Sequence, residues 1–483
     1  MALDSELPEG IISLLDTDLY KLTMQCCVLK YFPDVQVTYK YTNRTPNMKF
    51  SREAVRWLSK QIQKLARLSL SADELTFLRT NCAYLNEPYL QYLSTFRMHP
   101  DKQVHLEFVP QQDTDSDEDT GDIELTTSGT WLETILYEIP LLALISETYF
   151  KFMNRDWSYA GQVEKARLKG TELLKNGCMI SEFGSRRRRD YHTQDLVIQG
   201  LRQAQDDATH NSWPGKLSGT SNVHFAMRHE LTPIGTVAHE WFMGVAAVTN
   251  DYEHANETAL KYWVATFGPG VLAIALTDTF GTPDFLKAFN KPIPTFTIAA
   301  PGSAAVTAST VAGSTTPATA SLTQTASQTD SETTYAKSFT GVRQDSGDPA
   351  DFMKMMRQFY DKVGITDKKA IVFSDSLNVE LCLQYKRQAE ELGFLPSFGI
   401  GTFLTNDYTH LSTGKKSVPL NIVIKISSCE GRAAVKISDN IGKNTGDKAT
   451  VEEVKKRLEY TERSWGGGDE STRWGKENDP SSE

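Results

Sequence analysis

Two short stretches hold the residue types that do chemistry. "PIGTVAHEWFMG" (233–244) sets His239 beside Glu240, just after Thr236, and "GVRQDSGDP" (341–349) sets Arg343, Asp345, Ser346 and Asp348 directly after an apolar run. A zinc-binding His-Glu motif needs a second histidine at its fifth position so that both imidazoles share one helix face, and Met243 stands there instead. His239 is left as a base, a covalent carrier or a hydrogen-bonded helix residue, and Glu240 as a group that could orient its ring or hold its proton. Asp345 and Asp348, with Ser346 and Gly347 between them, suit a sugar diol, magnesium or phosphate oxygens, and equally a capped Asp-Gly turn. Arg343 adds a guanidinium able to hold a planar carboxylate through two parallel hydrogen bonds.

Phosphate chemistry has its own candidates. "FGIGTFLTND" (398–407) places Gly399, Gly401 and Thr402 after a strand pattern, where close backbone approach and free N–H groups favour phosphate. "SEFGSRRRRDY" carries Arg186 to Arg189, which cannot all point one way, so one or two are expected to face a site. With 51 Lys+Arg against 61 Asp+Glu the net charge is -10, which argues against general nucleic-acid or membrane-surface binding. An anionic ligand must therefore be caught by a local cluster.

The elements that position these residues follow a repeated pattern of short apolar run, polar cluster and helix. "GCMI" precedes "SEFGSRRRR", "VLAIAL" precedes "TDTF", "AIVF" precedes "SDSLN" and "SFGI" precedes "GTFLTND". Strands alternating with helices imply parallel units, and polar residues gathered after the strands fall at one face of a barrel. Near the start, "VQVTYKYTNR" alternates like a strand with one wet face, and "SREAVRWLSKQIQKLARL" reads as a surface helix capped by Ser51. The acidic run 111–122 reads as a hairpin tip, while 299–336, rich in Ser, Thr and Ala, and the tail 463–483 read as disordered. Six scattered cysteines, no secretory leader pattern and no apolar run near the roughly 18 residues of a membrane helix suggest a cytoplasmic protein, with the nucleus as a second compartment.

Taken in order, "LLDTDLYKLTMQ", "SEFGSRRRRDY", "GTSNV", "GTVAHEW", "ALTDTF", "GVRQDSGDP", "FSDSLN" and "FGIGT" resemble the nicotinate phosphoribosyltransferases of the type II phosphoribosyltransferase class, with spacing nearest the fungal members. The fold expected is α/β, an irregular TIM-like α/β barrel (146–419) with an additional α+β domain built from N-terminal and C-terminal segments (1–145 and 420–462). The resemblance implies condensation of nicotinate with 5-phosphoribosyl 1-pyrophosphate to nicotinate mononucleotide and pyrophosphate, with ATP and Mg2+ as cofactors. It matches His239 to a histidine phosphorylated by ATP, Asp278 and Asp345 to acids near the ribose and pyrophosphate, and Tyr20, Arg186, Thr236 and Arg343 to nicotinate contacts. Ser374, Gly399, Gly401 and Thr402 match the phosphate-binding loops. Relatives that build the site across a homodimer bring the residue matched by Tyr20 from the partner. The alternatives are a homologue that uses nicotinamide and a catalytically silent regulatory one.

Overall fold

The computed structural model describes residues 7–294, 333–440 and 444–461. Most of the expected disordered insert and all of the expected disordered tail lie outside these. At the insert's end the expectation needs correcting, because Tyr335 and Ala336 are buried and Thr334 caps the short helix Tyr335–Ser338.

The first half of the chain builds an antiparallel sheet from β1 (Gln36–Asn43), β2 (Phe50–Ser51), β3 (Val104–Pro110) and β4 (Thr120–Thr130). In β1 the alternation seen in sequence becomes one face of buried Val37, Tyr39 and Tyr41 and an opposite face carrying the exposed Lys40. The helix Arg52–Lys64, whose N-cap Ser51 accepts from Ala54 N at 3.1 Å, buries Val55, Leu58 and Ile62. Its Arg52 pairs with Asp113 and Asp119 and its Arg56 with Asp117, which pins the acidic tip joining β3 to β4.

The middle of the chain builds six parallel strands: β5 (Met179–Glu182), β6 (Lys216–Thr220), β7 (Ile274–Leu276), β8 (Gly341–Gln344), β9 (Ala370–Phe373) and β10 (Leu395–Ile400). They lie in the order β6-β5-β10-β9-β8-β7, with helices between them in sequence. The gap between β6 and β7 is what makes the barrel irregular. Extended chain at 231–237 fills it: Ile234 N donates to Thr220 O at 2.8 Å on one side, and Thr236 Oγ1 donates to Ile274 O at 3.1 Å on the other. Gly219 permits this approach, since its φ of +153° favours glycine and a Cβ there would meet Thr232 O at 2.0 Å.

After a short hairpin of β11 (Tyr408–Thr409) and β12 (Lys416–Ser417), the chain returns to the first sheet as β13 (Ile422–Cys429) and β14 (Arg432–Ala433). β13 pairs with β1 from Val37↔Cys429 to Asn43↔Ile422, so the antiparallel sheet joins both ends of the chain. That return brings the C-terminal segment against the mouth of the barrel.

Candidate active site

His239 is the first residue of the helix His239–Thr249, where the barrel-closing segment ends. Its imidazole is buried, with Nδ1 2.9 Å from Thr279 Oγ1 and Nε2 3.0 Å from Asp345 Oδ2 and 2.8 Å from Lys436 Nζ. An ammonium can only donate, so its contact makes Nε2 the acceptor and leaves the ring proton on Nδ1, facing Thr279. Burial first, and the Lys436 charge second, push the imidazole down to about 4, which keeps the ring neutral near pH 7. A neutral imidazole with a lone pair on its outward nitrogen is a nucleophile rather than an electrostatic clamp.

Two carboxylates flank it from the ends of β7 and β8. Asp278 accepts from Ser346 Oγ at 2.5 Å and pairs with Lys436 at 3.1 Å through Oδ2. Its buried Oδ1 has no hydrogen-bond partner among the described residues and lies 3.7 Å from His239 Nε2. Asp345 Oδ1 accepts from Arg343 Nη2 and Ser374 Oγ, each at 2.8 Å, and Arg343 Nε donates to the same Ser374 Oγ at 2.8 Å. Burial raises the Asp345 carboxyl, but the Arg343 guanidinium above all, with the Lys436 ammonium, holds the group well below the usual range.

These groups border a cavity of about 670 Å³ between the barrel mouth and the antiparallel sheet. The barrel contributes Arg186, Arg343, Ser374, Gly399, Gly401 and Thr402, all singled out in the sequence. At Gly399 a Cβ would lie 2.3 Å from the Phe183 ring, so the glycine lets that ring pack against the loop. A recess of about 40 Å³ shares Arg186, His239, Arg343 and Asp345 with the larger cavity and adds Tyr20 and Glu138. Thr236 and Asp278 line neither cavity: the Thr236 hydroxyl is bound to Ile274 O, and Asp278 is 1% exposed behind His239.

The arginine run divides. Arg186 and Arg187 reach the cavity, whereas Arg188 makes a two-bond contact with Asp16 at 2.8 and 2.7 Å, and Arg189 packs over Phe150 and Tyr408. The reading of Glu240 as a partner for His239 needs correction. Its carboxylate turns the other way, accepting from Tyr39 Oη at 2.6 Å and Trp131 Nε1 at 2.9 Å and pairing with Lys21. Consecutive side chains at a helix start diverge by about 100°, so neighbours in sequence serve different surroundings. Sequence reading missed Lys436 and Lys425, both supplied by the C-terminal return. Their signal was a lone lysine inside an apolar strand pattern, in "NIVIKISSC" and "AAVKISDN".

Comparison with known proteins gives a consistent result. The profile of the nicotinate phosphoribosyltransferase (NAPRTase) N-terminal domain matches residues 15–146, and that of the nicotinate phosphoribosyltransferase family matches 178–298 and 307–462. A nicotinate phosphoribosyltransferase from Saccharomyces cerevisiae is 44% identical over 469 residues, covering 96% of this chain and 99% of that one. A Schizosaccharomyces pombe protein named a probable nicotinate phosphoribosyltransferase is 44% identical, covering 93% and 98%. A crystal structure from Saccharomyces cerevisiae aligns with a TM-score of 0.82 at 43% identity, over 94% of this chain and 100% of that one.

Proposed function

Because the chain belongs to the nicotinate phosphoribosyltransferase family and is a nicotinate phosphoribosyltransferase of pyridine nucleotide synthesis, we propose that it couples that transfer to ATP through a phosphate carried on His239. In this reading nicotinate attacks the anomeric carbon of 5-phosphoribosyl 1-pyrophosphate, the C–O bond to pyrophosphate breaks, and nicotinate mononucleotide and pyrophosphate leave. The pyridine nitrogen brings its own lone pair, so no side chain has to abstract a proton. The Asp345 and Asp278 carboxylates stabilise positive charge developing on the ribosyl ring. Tyr20, Arg186 and Arg343 at the recess support a pyridine site, with Thr236 shaping the wall behind it, and Ser374, Gly399, Gly401 and Thr402 support a phosphate site.

The observation that carries the coupling is the neutral His239 ring with its acceptor nitrogen at the cavity edge, beside an ammonium. In the coupled step Nε2 bonds to the γ-phosphorus of ATP, the bond to the β–γ bridging oxygen breaks, and ADP leaves with that electron pair. Lys436 offsets the charge on the transferred group. His239, Asp278 and Asp345 offer three donor atoms within 4.8 Å of one another, a set of the kind that holds a cation. Lys436 already supplies positive charge to two of them, so the arrangement suits magnesium arriving on pyrophosphate or ATP better than a resident ion. Incubation with γ-labelled ATP should leave acid-labile, base-stable phosphate on the enzyme, and its absence under turnover would remove the carrier role.

Tyr20 reaches the recess from within the same chain, which supports a site complete in one chain over one shared across a homodimer. Light scattering alongside activity checks this. No helix among the described residues is long and apolar enough to cross a membrane, and all six cysteines are buried and unpaired, which supports a cytoplasmic setting.

A further inference from the structure

The cations around the recess differ in what they are already holding. Arg343 has Nε and Nη2 on Ser374 and Asp345, Lys436 is held between Asp278 and His239, and Lys21 is enclosed by Glu138 and Glu240. Arg186 and Lys425 stand apart: both border the recess and the larger cavity, and neither has a hydrogen bond or ion pair among the described residues. Lys425 sits on β13 opposite Lys40 of β1, and with Val423 of the same strand it lines the cavity across from the glycine loop of the barrel. There the cavity covers Lys425, while Lys40 one strand over is exposed. The carboxylates that face Lys425, Glu138 and Asp345, are already paired with Lys21 and Arg343, so its covered ammonium is stabilised further by an anion delivered to it.

We propose that Lys425, together with Arg186, receives the carboxylate of nicotinate and is the residue that separates the acid from its amide. The proposal rests on the pyridine site described above. The anion is assigned as the carboxylate because Lys425 and Tyr20 share the recess, whereas the glycine loop and Ser374 border only the larger cavity. The phosphoryl group has its own ammonium in Lys436. An amide presents a neutral oxygen and an NH2 group that cannot accept from a lysine, so it leaves one cation unpaired where the acid pairs both. Burial outweighs the opposing pull of the Glu138 and Asp345 carboxylates and, with Arg186 and Lys436 nearby, lowers the Lys425 ammonium to about 8, a depression that a bound carboxylate relieves.

The test is steady-state kinetics of wild type, Lys425→Met and Lys425→Arg with nicotinate and nicotinamide, each against varied 5-phosphoribosyl 1-pyrophosphate. Loss of one charge-assisted bond predicts a rise of about 10- to 100-fold in KM for nicotinate in Lys425→Met, with KM for the ribosyl donor held within about threefold. The kcat/KM ratio of nicotinate to nicotinamide should fall by a similar factor, and Lys425→Arg should restore most of it. A rise confined to KM for the ribosyl donor would reassign Lys425 to a phosphate and overturn the proposal. Equal losses with both pyridines would reduce it to a structural residue, which also overturns it. Should Lys425→Met fail to fold, Lys425→Gln, similar in length and uncharged, gives the same readings. An inactive wild type would instead count against the enzyme reading itself, so the two failures are distinguishable.

Discussion

His239 and Glu240 are consecutive, almost equally buried and each beside a lysine, yet they belong to two unlike clusters. On the Glu240 side, Lys21 is fully buried and pairs with Glu138 at 2.5 Å and with Glu240, while Tyr39 and Trp131 donate to the same Glu240 carboxylate. Donors and acceptors there meet one another and close the cluster. On the His239 side, Asp278 Oδ1 is left without a hydrogen bond and the ring nitrogen borders a cavity of about 670 Å³. Burial and charge therefore mark both clusters. A nitrogen nucleophile at the edge of space for a ligand marks only the one suited to chemistry.

The sharpest way to break that contrast is His239→Ala. It should abolish ATP hydrolysis and phosphate incorporation while leaving slow transfer without ATP, and labelled phosphate at wild-type stoichiometry in the variant would end the assignment. Next comes Lys436→Met, which removes the cation beside the transferred group. Coupled turnover should fall by about 10²- to 10³-fold, the scale seen when one charge-stabilising donor is lost. Its pH profile carries a second signature. The neutral ring is the competent form, so activity is lost as pH falls through the imidazole pKa. Removing a charge that depresses that pKa must move the acid limb to higher pH. An acid limb that stays in place would show that Lys436 does not act on the ring.

How far these clusters could be read in advance depended on sequence distance. Residues carried within one motif were legible: Arg343 and Asp345 lie two apart on one strand end, and Gly399, Gly401 and Thr402 form one loop, so local spacing alone places them together. Five of the six parallel strands were legible for the same reason, as each unit is local, whereas β6, "KLSGT", has no apolar run to mark it. Lys425 and Lys436 were not, because they meet the barrel only after β13 pairs with β1, a contact between opposite ends of the chain. Glu240 misled because adjacency in sequence suggests proximity in space, and the helix turns the two side chains apart. The closing segment 231–237 escaped notice because one backbone bridge and one side-chain bond do the work of a strand without a strand's pattern.

On the closed side the expected loss is of stability rather than chemistry. Lys21→Met leaves Glu138 and Glu240 buried without their cation, a defect of about 3–5 kcal/mol. Denaturant unfolding should report that loss, while the folded fraction still incorporates phosphate from ATP. If the variant is as stable as wild type but cannot be phosphorylated, the division between the clusters is wrong.

The smallest effect reads the protonation state of His239 directly. Its folded pKa of about 4 lies below the ordinary 6.5, so between those values the unfolded chain binds a proton that the folded one refuses. Stability from this residue is therefore intact above pH 6.5 and declines as pH falls toward about 4, by about 3 kcal/mol in total. Other groups titrate in the same window, so the informative quantity is the difference between wild type and His239→Asn, whose side chain does not titrate. The variant's unfolding free energy should decline less steeply across that window, and parallel curves would mean the ring is as easily protonated in the folded protein as in the unfolded chain. That outcome would show that neither burial nor the Lys436 ammonium acts on the ring in the folded protein, and would remove the protection that keeps the Nε2 lone pair free as pH falls below 6.5.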